Sequence, residues 1–492
     1  MLGSSPVAEA FWIAFSLPNM FRRFFAEGAF NMAFIPLYAK KLEAGEGADE
    51  FARDAFSGMF ALLAIFSVIG IVFMPGLVWL MASGFAEDGR FDIAVIYGRI
   101  AFPYIMLISL AALLSGLLNA NRRFLAAAAA PVLLNVVFLV SIGIALLLDI
   151  STSYELGRSL AWAVPVGGFA QLALVYVAAW RAGHRLTLRV PRLTPELKRL
   201  AVIAAPAALA GGVVQINLLV GRQVASYFDG AIVWLSLADR LYQLPLGVVG
   251  IAIGVVLLPE LSRRLRAGDA AGEKEAFSRS CEFALLLTLP AAVALATIPL
   301  PLIQVLFEGQ AFTADDTAAT ALALMVYALG LPAFVMQKAL QPLYFAREDT
   351  TSPLRYALVS LVVNAAIAVG LMGTLGFVAA AIGTTVAGWA MVVLLWVGRK
   401  KMGAAAEFDA QLKRRIWRII FASVIMGAAL WGLQIALGPM FARAGADILG
   451  LVILVIGGTV IYFVTAQFVG AMRIQELRAA MRRRPSGDEA SS

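Results

Sequence analysis

The chain is 492 residues long, 61% hydrophobic and 14% charged, with a mean hydropathy of +0.86, whereas a soluble domain carries about 25% charged residues. So little charge excludes a soluble globular fold. The net charge of +8 does not mark a nucleic-acid partner, because the cations lie in short segments between apolar runs and not on one polar face. A hydrocarbon core about 30 Å thick needs about 20 apolar residues per helix, and such runs predict an all-α, polytopic membrane protein. In chain order they fall near 7–38, 57–82, 92–119, 124–148, 159–180, 200–227, 230–258, 277–304, 317–345, 354–371, 376–398, 416–436 and 448–470.

Loop composition gives the expected orientation. Segments 39–56, 120–123, 181–199, 259–276, 346–355, 399–415 and 471–492 hold 28 of the 39 Lys and Arg residues, and the intervening loops hold three: Arg90, Arg158 and Arg443. The positive-inside rule places the first set, and the C-terminus, in the cytoplasm. Thirteen spans then put Met1 outside.

An internal repeat bears on the same point. Ala8-Glu9-Ala10, Leu17-Pro18 and PLYAKKLEAG (36–45) are echoed by Ala238-Asp239-Arg240, Leu244-Pro245 and PELSRRLRAG (259–268), and Pro103, Arg122 and LLNVV by Pro332, Arg347 and LVVNAA. Two parallel halves follow, a common transporter plan. The second half has a helix, 200–227, before its repeat and the first has none, so one N-terminal helix is expected to be missing. The expected organisation is an N-terminal lobe at 1–185, a basic cytoplasmic linker at 186–199 and a C-terminal lobe at 200–400. Two extra helices at 401–470 and a basic tail at 471–492 complete it.

Eight cations lie within or near spans: Arg22, Arg23, Arg99, Arg222, Arg240, Arg279, Lys338 and Arg418. Snorkelling accounts for Arg222, Arg279, Lys338 and Arg418; Arg99 is ambiguous. Arg22, Arg23 and Arg240 lie ten or more residues from an external boundary, where a lipid-facing cation costs about 2.5–3.5 kcal/mol or more, so they face protein or water. Arg23 has an i,i+4 partner in Glu27; Arg22 has none. Asp239 adjoins Arg240 but points about 100° away on a helix. Glu9 lies one turn inside the external side, with Pro18 kinking the helix between it and the arginines. Because corresponding helices of the repeat carry Arg22/Arg23 and Arg240, convergence on one central cavity is expected, suited to a phosphate or diphosphate. Asp239, Asn19 and Gln243 are accessory candidates.

The remaining features carry less. Gly250-x-x-x-Gly254 reads as helix packing, and the basic loops as contacts to anionic membrane lipids. One cysteine, Cys281, and one histidine, His184, argue against a disulfide framework or Cys/His metal cluster. Cys281 reads as inert packing and His184 as a solvated loop residue. No P-loop, zincin helix or nucleophile elbow appears. The nearest approach to an acidic metal cluster is FTADD (312–316), with only two carboxylates, which argues against a membrane-embedded transferase. A non-transporting scaffold is the third class. No catalytic residue, metal or cofactor is expected, and coupling falls to the membrane potential or a monovalent cation site among groups such as Asn217, Asn364 or Thr385.

SLPNMFRRFFAEGAFNMAFIPLYAKK (16–41) resembles the MurJ/MviN lipid II flippases of bacterial peptidoglycan synthesis, within the MOP exporter superfamily. AFPYIMLISLAALLSGLLNA (101–120), APVLLNVV (130–137), LADRLYQLPLGVVGIAIGVVLLPELS (237–262), FTADD and YFAREDTTSP (344–353) extend the resemblance in order over nearly the full chain. It implies fourteen helices in two six-helix lobes around a cationic cavity that alternates between inward- and outward-open states. The last two helices would form a groove for a lipid tail. The family's acid falls on Glu9, where Asp is usual, and its arginines on Arg22 and Arg240. The family's first helix, with an S-R-x-x-G-x-x-R-D segment that helps hold the diphosphate, has no counterpart here. The implied substrate is undecaprenyl-diphosphate-linked MurNAc-pentapeptide-GlcNAc, carried by a monomer in the bacterial inner membrane. The alternative is an exporter of another polyprenyl-diphosphate-linked saccharide or of a drug cation, whose cavity should display acids.

Overall fold

Proline, glycine and N-terminal capping residues cut the apolar sequence into helices. The computed structural model describes residues 2–22, 29–150, 152–192, 194–441, 443 and 445–472; at 29–33, 203–214, 251, 252 and 254–256 it describes the backbone alone. No strand occurs among the described residues. The helices are α1 (Pro6–Arg22), α2 (Ala29–Ala44), α3 (Ala48–Val72), α4 (Met74–Met81), α5 (Arg90–Ala101), α6 (Tyr104–Ala120), α7 (Leu125–Leu147), α8 (Ser153–Arg181) and α9 (Pro195–Ala225). They continue as α10 (Ala231–Arg266), α11 (Ala270–Thr297), α12 (Pro299–Phe307), α13 (Ala314–Phe345), α14 (Thr351–Leu375), α15 (Val378–Gly398), α16 (Ala410–Ala436), α17 (Gly438–Phe441) and α18 (Ala446–Val469). Short 3-10 turns at Ser83–Glu87 and Arg399–Ala406 join neighbours.

Ten segments among the described residues are long and apolar enough to cross a membrane. The other three expected spans, 7–38, 200–227 and 230–258, coincide with α1 and α2, α9, and α10. Several starts are fixed by side chains that satisfy orphan N–H groups: Thr194 accepts from Leu197, Asp269 from Gly272 and Asp409 from Leu412. Thr313 and Asp316 form a reciprocal capping box at the head of α13. The second carboxylate oxygen of Asp316 accepts the indole N–H of Trp234 at 2.8 Å. The acids of FTADD therefore belong in part to helix capping.

The chain divides into two compact units, Met1–Val233 and Trp234–Ser492. In the first, α1 packs on α5, α6 and α8, while α7 lies along α8. Phe11 and Phe15 of α1 meet the edge of Phe138 on α7. Gly157 permits the close approach of α8, since a Cβ there would lie 2.5 Å from Val7 and 2.7 Å from the Tyr97 hydroxyl. The α9 helix, which the repeat assigns to the second half, packs against α2, α3 and α4 in this unit. In the second unit α13 packs between α11 and α15, α14 lies along α15, and α11 carries α16, which carries α18. Leu139 of α7, Val362 of α14 and Val424 of α16 point outward with most of their surface exposed, the arrangement a hydrocarbon solvent favours.

Candidate functional site

Glu9 sits in the first turn of α1, only 1% exposed. Arg90, the first residue of α5, donates to it at 2.8 Å. The same guanidinium reaches Asp88 at 2.6 Å and Asp229 at 3.0 Å, and lies 4.4 Å from the centroid of Phe85. The other Glu9 oxygen accepts the backbone N–H of Ile232 at 3.2 Å, at the opening turn of α10, where a helix favours an anion. Burial works to raise Asp88, but hydrogen bonds and charge from Arg90 outweigh it and hold the carboxyl below the usual range. Beside this cluster the 83–87 turn is tied to α9 and the residues that follow it. Ser83 N–H donates to Gln223, Gly84 N–H to the Ser226 hydroxyl, and the Ser83 and Tyr227 hydroxyls pair. A Cβ on Gly84 would fall 2.6 Å from the Ser226 carbonyl group, so the approach requires glycine.

Arg90 was missed by sequence reasoning. Its signal lay in the loop census: among the loops expected to be external, which are almost devoid of cations, an arginine two residues after an aspartate asks for a carboxylate partner.

Arg22, at the end of α1, lines a cavity of about 260 Å³ with Ser115, Asn119, Pro131 and Gln171. Among the described residues no carboxylate lines it. The Gln171 side chain is buried and accepts from the Tyr104 hydroxyl at 3.4 Å. The Asn19 amide donates to the Phe15 carbonyl within α1, 2.9 Å away. Arg23, with Glu27, lies outside the described residues.

Arg240, Asp239 and Gln243 belong to α10 in the second unit. Tyr242 sets the face they occupy: it is buried, stacked on Tyr327 at 5.4 Å and beside Phe334 at 5.8 Å. Arg240, two residues away and so rotated by about 200°, is exposed. Asp239 accepts a hydrogen bond from Gln243 one turn on. Lys338 on α13 runs its stem past Gly250, where a Cβ would meet its Cγ at 3.6 Å, so this glycine of the GxxxG pair borders a lysine stem.

Other cations depart from a simple snorkelling role. Arg279 pairs with Glu282 and with Asp409, and Arg415 pairs with Glu282, which makes a cluster across α11 and α16 in which Glu282 and Arg415 are each 8% exposed. Arg279 is therefore a structural partner and not a free rim residue, and Arg415 lies inside α16 instead of in a loop. Arg418 donates to the Gly470 carbonyl at the end of α18, and Arg347 pairs with the buried Glu273 at 2.6 Å. His184 corrects its solvated reading as well: its ring nitrogen lies 2.7 Å from Asp49. Cys281 is fully buried, as packing requires.

The second unit also carries an apolar groove of about 270 Å³ between α11, α16 and α18. Pro290, Ala294, Leu430, Gly458 and Phe463 line it, with Tyr462, whose hydroxyl donates to the Leu286 carbonyl at 2.7 Å.

Residues 1–455 match the profile of the family described as lipid II flippase MurJ. The chain belongs to the MurJ family. A probable lipid II flippase MurJ of Rhizobium tropici is 42% identical over 495 residues, covering 98% of this chain and 92% of the relative. The lipid II flippase MurJ of Burkholderia cenocepacia is 34% identical, covering 87% and 84%. A solved structure of lipid II flippase MurJ in an inward closed conformation superposes with a TM-score of 0.77 at 22% identity, covering 97% of this chain and 94% of that one. An inward-facing multidrug resistance MATE transporter of the MOP superfamily gives 0.67 at 16% identity, covering 83% and 97%. The two likenesses show the fold, and the MurJ family is one of transporters, not enzymes. Among the described residues no group of His, Cys, Asp and Glu side chains has the makings of a metal site.

Proposed function

We propose that this chain moves lipid II, the undecaprenyl-diphosphate-linked peptidoglycan precursor, from the cytoplasmic to the outer leaflet of the bacterial inner membrane by alternating access. The observation that carries the reading is 42% identity over nearly the whole chain to a probable lipid II flippase. In this reading Arg22, Arg23 and Arg240 hold the diphosphate through planar, bidentate hydrogen bonds, with Asn19, Asp239 and Gln243 as accessory groups. The apolar groove at Tyr462 takes part of the polyprenyl tail. Glu9 acts through Arg90, and direct contact with substrate requires Arg90 to release it. The transporter works as a monomer, with its basic loops and C-terminus in the cytoplasm, and draws on the membrane potential or a monovalent cation. The drug-cation alternative draws only on the shared MATE fold, and Arg22 and Arg240 have the wrong sign for such a cargo.

The test is lipid II binding and rescue of a flippase-depleted cell at matched expression. Arg240→Lys keeps the charge and loses the planar fork, so binding weakens. Arg240→Ala weakens it further, while insertion persists. If Arg240→Ala binds and rescues as well as the parent, Arg240 does not hold the diphosphate.

A further inference from the structure

The first unit carries a second apolar groove, of about 540 Å³, that the flippase reading does not use. Phe56 and Phe60 of α3, Leu110 of α6, and Phe169 and Ala173 of α8 line it. Along α8 the lining runs from Phe169 to Val177, about 12 Å at 1.5 Å per residue. One leaflet of hydrocarbon is about 15 Å thick, so the groove is long enough to take most of the part of an acyl chain that lies in one leaflet.

The interfacial end is closed by Leu186, Thr187 and Leu188 of the 181–194 linker. Three hydrogen bonds pin this segment across the ends of α3 and α8. The Tyr176 hydroxyl donates to the Leu186 carbonyl at 3.0 Å, Arg189 N–H donates to Ser57 at 3.0 Å, and His184 meets Asp49 at 2.7 Å. Leu186 is 2% exposed and serves as the anchor. Around the anchor the strap presents Arg181, Arg185 and Arg189, all exposed, and residues 181–194 contain no acid. A lipid beside a bare helix face meets no end-stop and no run of cations; here an apolar slot ends at a backbone strap whose sequence carries Arg181, Arg185 and Arg189.

We propose that this groove holds an acyl chain of an anionic diacyl phospholipid whose phosphate sits on Arg181, Arg185 and Arg189. Which leaflet supplies the lipid rests on the orientation proposed above. The slot, its cations and its selectivity do not, so the lipid site and the flippase reading fail independently.

The test uses the full chain in phosphatidylcholine nanodiscs doped with a phosphatidylglycerol or phosphatidylcholine probe bearing a diazirine midway along one acyl chain. Adducts are mapped by mass spectrometry. The phosphatidylglycerol probe should label residues 106–110 and 169–177 at least about fivefold more than the phosphatidylcholine probe, the preference one interfacial cation confers. Ala173→Trp fills the slot and should remove those adducts while labelling around Tyr462 stays unchanged, which reports that the protein is folded. Replacing Arg181, Arg185 and Arg189 with Gln should lower the phosphatidylglycerol signal to the phosphatidylcholine level and leave the latter as it was. Equal labelling of the parent by both probes, or adducts that survive Ala173→Trp, would overturn the proposal. So would displacement of the probe by equimolar undecaprenyl phosphate, which would assign the slot to a substrate tail.

Discussion

Arg90→Ala separates a structural role for Glu9 from a substrate-binding one. Arg90 has three carboxylate partners of very different burial: Asp229 is 95% exposed, Asp88 39% and Glu9 1%. Exposed partners contribute about 0–1 kcal/mol each, so nearly all the effect comes from Glu9. Removing the guanidinium leaves that carboxylate buried and charged, with the backbone N–H groups of Gly230 and Ile232 beside it. Breaking a buried pair from one side costs about 3–5 kcal/mol. Arg90→Lys should fall between Arg90→Ala and the parent, because one ammonium cannot reach three carboxylates arrayed around a planar fork.

The assay is a double-mutant cycle read by denaturant unfolding in detergent micelles. Glu9→Gln combined with Arg90→Met removes both charges at similar volume and should recover much of the loss, giving a coupling of about 2–3 kcal/mol. Arg158→Ala, at an exposed position on the same expected side, should change nothing. Lipid II affinity of the folded fraction should hold in both Glu9 and Arg90 variants. A loss under about 1 kcal/mol for Arg90→Ala, or an additive cycle, would show that Glu9 finds its compensation elsewhere. A loss of affinity in Glu9→Gln alone, at parental stability, would make Glu9 a substrate ligand.

Arg415→Ala should destabilise the second unit by about 3 kcal/mol, because it strips Glu282 of a buried partner. Arg279→Ala should cost about 1 kcal/mol, its side chain being 33% exposed, and equal losses would refute this ranking in the same unfolding assay. Ala294→Trp, which fills the groove beside Tyr462, should slow transport of a polyprenyl-linked substrate while the unfolding midpoint stays within a few degrees; unchanged transport would remove the groove from the mechanism. In a Cys281→Ala background, a cysteine at Val190, 82% exposed, should react from the cytoplasm, and one at Gly309 from outside; labelling of position 190 from outside would reverse the proposed orientation.

Much of the architecture is legible because bilayer thickness and proline punctuation act locally. The expected span at 92–119 breaks into α5 and α6 at Phe102-Pro103, and that at 277–304 into α11 and α12 at Ile298-Pro299, where a proline lacks the N–H that would continue the ladder, although other prolines, such as Pro290 in α11, stay inside their helices. The placement of α9 was not legible. Repeat counting follows chain order, whereas the packing of α9 on α2 and the ties of Gln223 and Ser226 to the 83–87 turn are tertiary.

Charge partners mark the boundary between what a sequence states and what a fold decides. Helical spacing offers partners three and four residues away, and it proposes Arg23 with Glu27 on that ground. The buried pairs found in the fold join residues far apart in sequence: Arg90 with Glu9 at a separation of 81 residues, and Arg415 with Glu282 at 133. Such pairs form wherever burial makes an uncompensated charge too costly, so a cation's depth along a span states that it needs compensation and not what supplies it. Arg279 and Arg90 looked unremarkable because each lies near a span end, where water appears available. Packing of α16 on α11 and of α5 on α1 removes that water, and a carboxylate from the neighbouring helix takes its place. For Arg240 the proposed diphosphate rests on the resemblance to the MurJ family, and Arg240→Lys against Arg240→Ala measures how much of the binding depends on the planar fork.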